Sequence, residues 1–198
     1  MKILRYALFA IVAIVLLFFA VGLFKPSIQY GHEITVEKPV KEVWAIVQDE
    51  SKYDQWLEGY QSMELIEGNQ NEPGSKYKVV VDPGEGQPEF EMIQTLMAIE
   101  EFDKVHLYYD SDFMDMDQHY TFSESDGKTT FSTQADVRPK GMMMRSMFAL
   151  MEMFSGSFTT QETKNIEALK TVIEANTTNY YPDPVMAEEE TGEEDNSE

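Results

Sequence analysis

Hydrophobicity along this chain changes period several times. From Tyr6 to Phe24 it has no period at all: the residues read YALFAIVAIVLLFFAVGLF, without one charge. A helix of that length spans ~28 Å, about the hydrocarbon thickness of a bilayer. Beyond Lys25 the chain alternates, and Tyr30, His32, Ile34 and Val36 share one face of a strand over 30–37. Pro39 follows at a helix N1 position, and Val40, Val43, Trp44 and Val47 recur at helical spacing. A second short helix is expected over 51–56, capped by Asp49 or Ser51.

Period two then returns. Strands are expected over 60–66, 76–81, 89–99, 104–110, 118–123 and 129–137. Turn clusters divide them, at 68–74 (GNQNEPG), at Asp82-Pro83-Gly84 and at the hairpin signal Asp126-Gly127. From Met142 to about Glu174 one long helical stretch is expected, kinked at Gly156. Strand, two helices, six strands and a long helix make an α+β domain, its antiparallel sheet packed on the last helix.

The first segment has two readings. Lys2 and Arg5 precede it and Ala20-Val21-Gly22 offers small residues for cleavage, as in a signal peptide. The apolar run is longer than the usual ~7–15 residues and continues past that point, which favours an uncleaved anchor. The positive-inside rule then places the N-terminus in the cytoplasm and exports the domain. The linker from Lys25 to Gln29 reaches at most ~17 Å, so the domain is held against the bilayer. The organisation is an anchor over 1–25, a domain over 26–180, and an acidic tail over 181–198 with no apolar period, expected to be disordered.

The formal net charge is -21, and the body stays acidic without the tail. Such a surface repels phosphate backbones, which argues against nucleic-acid binding, and anionic lipid headgroups as well. Membrane contact therefore falls to the anchor. Metal and nucleophile signals are absent: there is no Cys, and none of His32, His106 and His119 has a partner at metal-ligand spacing. Asp110, Asp112, Asp115 and Asp117 lack the glycine and closing glutamate of a calcium loop and read as a solvated hairpin end. No cofactor is implied.

The chain resembles the polyketide cyclase/dehydrase and lipid transport family of the SRPBCC, START-like superfamily. The resemblance rests on the first strand running into EKPVKEVW at 37–44, on Asp49 with Trp56, and on the glycine-bearing turn at 68–74. Asp126-Gly127-Lys128-Thr129 before the last strand and Ile166-Glu167-Ala168-Leu169-Lys170 near the end complete it. It implies a helix-grip fold: a curved antiparallel sheet wrapped around a long C-terminal helix, enclosing an apolar cavity. Members of this superfamily bind lipids, cyclise polyketides, assist chaperones or deliver quinones.

Strand parity is compatible with such a cavity. It turns inward Phe90, Met92 and Gln94, then Tyr109, then Gln118 and Tyr120, and last Phe131 and Thr133. On the helix, Met147, Met151, Phe154 and Phe158 are spaced to share one stripe. These twelve residues are the candidate lining; the competing reading is that they fill a core. The run 142–154 (MMMRSMFALMEMF) is apolar almost all round, as for a helix touching both cavity and membrane, or simply a buried one.

The leading expectation is membrane-tethered binding of a hydrophobic small molecule, of the lipid or isoprenoid quinone class. An aromatase/cyclase-type enzyme is the first alternative, with His32 as base beside Tyr109; a buried structural His32 competes with it. A non-catalytic protein-interaction module is the second.

Overall fold

The computed structural model describes residues 2–84, 86 and 88–182. The acidic tail expected over 181–198 lies, but for Tyr181 and Pro182, outside the described residues.

Among the described residues, seven strands form one antiparallel sheet in the order β1-β7-β6-β5-β4-β3-β2. They are β1 (Ile28–Val36), β2 (Tyr60–Glu67), β3 (Lys76–Val81), β4 (Phe90–Glu100), β5 (Lys104–Asp110), β6 (Met114–Ser125) and β7 (Lys128–Pro139). Helices are α1 (Lys2–Phe24), α2 (Val40–Val47), α3 (Gly141–Ser155) and α4 (Ser157–Ala175). The first strand pairs with the last, Ile28 opposite Val137 and Val36 opposite Thr129. The second strand forms the opposite edge, so α2 and a 3-10 turn at Glu50–Gln55 carry the chain from one edge to the other. Asp49 caps that turn, its carboxylate accepting the Ser51 N–H at 3.1 Å. Pro39 stands at the N-cap of α2, and Glu124 of β6 accepts the Val40 N–H at 2.7 Å, supplying the cap that proline has no side chain to make.

Alternation decides the core. Phe131, Thr133, Ala135 and Val137 on β7 are buried, as are Val105 and Leu107 on β5 and Gln118 and Phe122 on β6. Phe131, Val105, Leu107 and Phe122 meet Val43, Trp44, Ile46 and Val47 of α2 and Ile166, Leu169 and Ile173 of α4. Full burial contributes about 1.5–3 kcal/mol per large apolar side chain, so this two-sided layer is the main stabilising element. A smaller cluster of Ile28, Val137 and Phe148 lies under α3, with Met144 and Phe158 beside it. Register shifts between Leu96 and Ala98, and twice in β2, bend the sheet over α4.

The expected single C-terminal helix is two helices. Gly156 adopts φ 57° and ψ 37°, the left-handed conformation that ends a helix and that glycine reaches without a Cβ penalty. Its N–H closes α3 on the Glu152 carbonyl at 2.8 Å, and the Glu152 carboxylate accepts the Phe158 N–H at 2.8 Å, satisfying an orphan donor at the start of α4. The junction is therefore a defined corner, where the sequence suggested a bend.

The apolar helix α1 packs against α3. Gly22 is its buried residue, and a Cβ there would collide with the side chain and backbone of Ser146. Most other side chains of α1 are exposed, including Ile3, Leu8, Ile14 and Leu17.

Candidate functional site

The bent sheet, α4 and the 3-10 turn do not close fully on one another. Between them lie two adjoining chambers of about 110 and 210 Å³. Leu57, Tyr60, Val79, Tyr109 and Tyr120 line both. Together they reach the lower end of the ~300–1,000 Å³ range of small-molecule sites. The smaller chamber is walled by Tyr53, Trp56 and Tyr77; the larger by Tyr30, Met92, Met116 and Phe158.

The lining mixes aromatic and aliphatic side chains with polar ones, among them Gln94, Gln118, Glu162 and Asn165. Glu162, on the inner side of α4, accepts a hydrogen bond from the Thr133 hydroxyl. Burial raises its carboxyl above the ordinary glutamate range, and that hydrogen bond opposes the shift. The phenols of Tyr109 and Tyr120 are also raised, first by burial and then by neighbouring tyrosines and the Glu162 charge, so both remain neutral donors at physiological pH. Trp56 Nε1, buried beside the smaller chamber, has no hydrogen-bond partner among the described residues, whereas the Gln118 amide in the wall of the larger one acts with Thr133 to lower the Glu162 carboxyl. An unsatisfied buried donor costs about 1–3 kcal/mol. A ligand acceptor placed here would relieve that cost.

Of the residues singled out from sequence, Met92, Gln94, Tyr109, Gln118, Tyr120 and Phe158 line the chambers. Phe131 is wholly buried behind Tyr120 and Phe122 as a core residue, and Thr133 is buried and bound to Glu162. Phe90 stands at the far end of its strand against Phe113, ring centroids 5.1 Å apart. Met147, Met151 and Phe154 do not share the Phe158 stripe. They sit on the outside of α3 at 38, 43 and 81% exposure, because the corner at Gly156 ends the helical phase that would have carried them inward. His32 faces the inner side of β1, where its Nε2 is 3.0 Å from Glu167 Oε1. It lines neither chamber, and Tyr109 is not among its partners.

Sequence reasoning passed over Tyr53, Trp56, Tyr60, Glu162 and Asn165 as lining residues. The signal for Glu162 was present: it follows Phe158 by one helical turn on the same face. Trp56 and its neighbours had no such signal, because an irregular turn has no period.

The outer face of the sheet carries a different chemistry. His106 and His119 stack with ring centroids 4.1 Å apart, and His106 Nε2 lies 3.1 Å from Asp117, which also pairs with Arg138. They border a wide, open depression of about 1020 Å³ over β1, β7 and β6. At the end of the β5–β6 hairpin Lys140 bridges Asp110 and Asp115, so the acidic cluster is partly neutralised by the residue that precedes α3. Among the described residues no group of three or more His, Cys, Asp or Glu is placed to hold a metal ion.

The model of the family described as polyketide cyclase / dehydrase and lipid transport matches residues 27–174. Three solved structures are similar. The crystal structure of Ara h 8.0201 is 17% identical, with a TM-score of 0.58 over 76% of this chain and 99% of that one. A conserved protein from Geobacillus kaustophilus is 17% identical, with a TM-score of 0.58 over 74% and 95%. The di-domain ARO/CYC BexL, from the BE-7585A biosynthetic pathway, is 15% identical, with a TM-score of 0.55 over 77% of this chain and 52% of that one. At these identities the likeness is one of fold. No curated protein sequence matches the chain.

Proposed function

Because the chain belongs to the polyketide cyclase / dehydrase and lipid transport family, of the SRPBCC superfamily, we propose that it binds a hydrophobic small molecule of the lipid or isoprenoid quinone class between its sheet and α4. The observation that carries this reading is the space itself: two adjoining chambers between the sheet and α4, walled by tyrosines, methionines and Phe158, with the unpartnered Trp56 Nε1 buried beside the smaller one. A core that merely fills itself would close that space and set an acceptor against the indole. A ligand with an apolar body and a carbonyl or ether oxygen fills the chambers and accepts from the indole, and quinones and lipid esters have that composition.

The membrane supplies such ligands and α1 supplies the tether. Its Lys2–Phe24 span has a mean hydropathy of 3.0 over its most apolar window, of which 6% is buried. Ile28 opens β1 four residues after α1 ends, so the domain starts within about 14 Å of the helix terminus.

The test is native mass spectrometry with organic extraction on the full chain, held in phosphatidylcholine nanodiscs. A stoichiometric apolar molecule that survives detergent exchange supports carriage and names the ligand. An empty chain that also takes up no fluorescent fatty acid or ubiquinone analogue overturns it.

A further inference from the structure

We propose that α3 is a second membrane contact, its outer face seated in the bilayer beside α1. The proposal rests on the reading of α1 as a retained anchor, and three observations carry it.

The first is topological. Ile28 pairs with Val137, so the chain enters β1 and leaves β7 at the same end of the sheet. Four residues before Ile28 is Phe24, the end of α1; four residues after Val137 is Gly141, the start of α3. Both helices therefore stem from the one edge of the domain that α1 would hold against a membrane.

The second is chemical. From Met142 to Phe154 every exposed side chain of α3 is methionine or phenylalanine: Met142, Met143, Met147, Met151, Met153 and Phe154. Met143 is 64% and Phe154 81% exposed. The two ionisable residues of the helix are turned from that face. Glu152 folds back to the start of α4, and Arg145 Nε donates to the Pro139 carbonyl at 3.3 Å. An exposed run of this size without a charge is not a water-facing surface.

The third is continuity. Gly22 of α1 packs directly on Ser146 of α3, a small-on-small contact of the kind by which helices approach closely in lipid. The exposed methionines thus adjoin the apolar surface of α1, in which no charge occurs from Tyr6 to Phe24. The phase that receives α1 receives its neighbour too. Unbranched, polarisable methionine suits a surface that meets mobile acyl chains. The acidic body would be repelled by anionic headgroups, so the contact is with acyl chains.

The chain has no cysteine, so single substitutions can each carry one spin label. Met143→Cys, Met151→Cys and Phe154→Cys report on α3 and Val12→Cys on α1. Ser125→Cys, at the end of β6 beside the turn that opens β7, lies at the opposite end of the sheet and is the aqueous control. The full chain is reconstituted in phosphatidylcholine vesicles. Collision with oxygen, which concentrates in lipid, is compared with collision with a water-soluble nickel chelate. The expected result is an oxygen-to-nickel ratio at the three α3 positions close to that at Val12 and far above that at Ser125. Nickel-accessible α3 labels beside a lipid-like Val12 would overturn the proposal and leave the anchor standing. A water-exposed Val12 would overturn the anchor itself and, with it, the seat beside α1 that this proposal requires. Labels shielded from both reagents would show that a protein or a second copy covers the face, and would also overturn it.

Discussion

Tyr30 on β1 and Phe158 on α4 stack with their ring centroids 5.9 Å apart and their planes 28° from parallel. Both rings line the larger chamber, and the Phe158 ring also touches Phe148 of α3, 5.2 Å away. The pair is thus the wall between the chamber and the small apolar cluster beneath α3. The Tyr30 hydroxyl has Met116 Sδ at 3.5 Å as its partner, a weak acceptor, so little besides packing holds the ring in place.

Phe158→Ala should open that wall. The residue is half-buried, so the loss of stability is put at about 2 kcal/mol, below the ~3–5 typical of a fully buried phenylalanine. Urea denaturation measures it. Dissociation of a bound fluorescent fatty acid should quicken at the same time. A slower or unchanged release would mean that the ligand does not pass this pair.

Trp56→Phe keeps the apolar bulk of the side chain and deletes its unpartnered donor. Stability of the empty protein should hold or rise by up to ~1 kcal/mol, because a desolvation cost disappears. Affinity for a quinone analogue should fall about fivefold, equivalent to one neutral hydrogen bond. Calorimetry on both variants separates the two effects. An unchanged affinity would show that the ligand makes no bond to the indole.

Glu162 makes stability depend on pH in a defined direction. Burial raises its carboxyl in the folded protein, so between the ordinary glutamate range and the raised value the folded chain holds the proton more tightly than the unfolded chain. Its contribution therefore declines as pH rises through that window and is constant above it. Glu162→Gln should remove this decline, matching the parent protein at acidic pH and exceeding it at neutral pH. Urea midpoints collected across the window test this, and parallel profiles for the two proteins would refute it.

Gly156→Ala tests the corner between α3 and α4. Among the described residues the only near neighbour of an added Cβ is Thr160 Oγ1 at 3.5 Å, an ordinary contact, so the cost is the left-handed backbone itself, about 1–2 kcal/mol. Thermal denaturation should show the loss. A gain in stability with more helical circular dichroism would mean that the two helices fuse into the single one the periodicity suggests.

The sequence by itself determined the long apolar first helix, the class of fold and the inward faces of the strands. An uninterrupted apolar run from Tyr6 to Phe24 leaves little choice, and on β7 the two-residue period sorts Phe131, Thr133, Ala135 and Val137 from their outward neighbours one by one. Five of the twelve candidate lining residues, Met92, Gln94, Tyr109, Gln118 and Tyr120, reach the chambers by the same rule. Parity states only which face a side chain takes. Whether that face meets empty space or another side chain depends on the bend of the sheet and on how far α4 stands from it. Phe131 and Tyr120 obey the same alternation, yet one is core and the other lines the cavity. The sequence marked Gly156 as a kink, but the tertiary structure alone decided that it ends the helix in the left-handed region, sending Met147, Met151 and Phe154 outward while Phe158 and Glu162 turn in. One residue in the left-handed region redirects everything before it, and periodicity, which counts positions along an assumed axis, carries no information about where the axis turns.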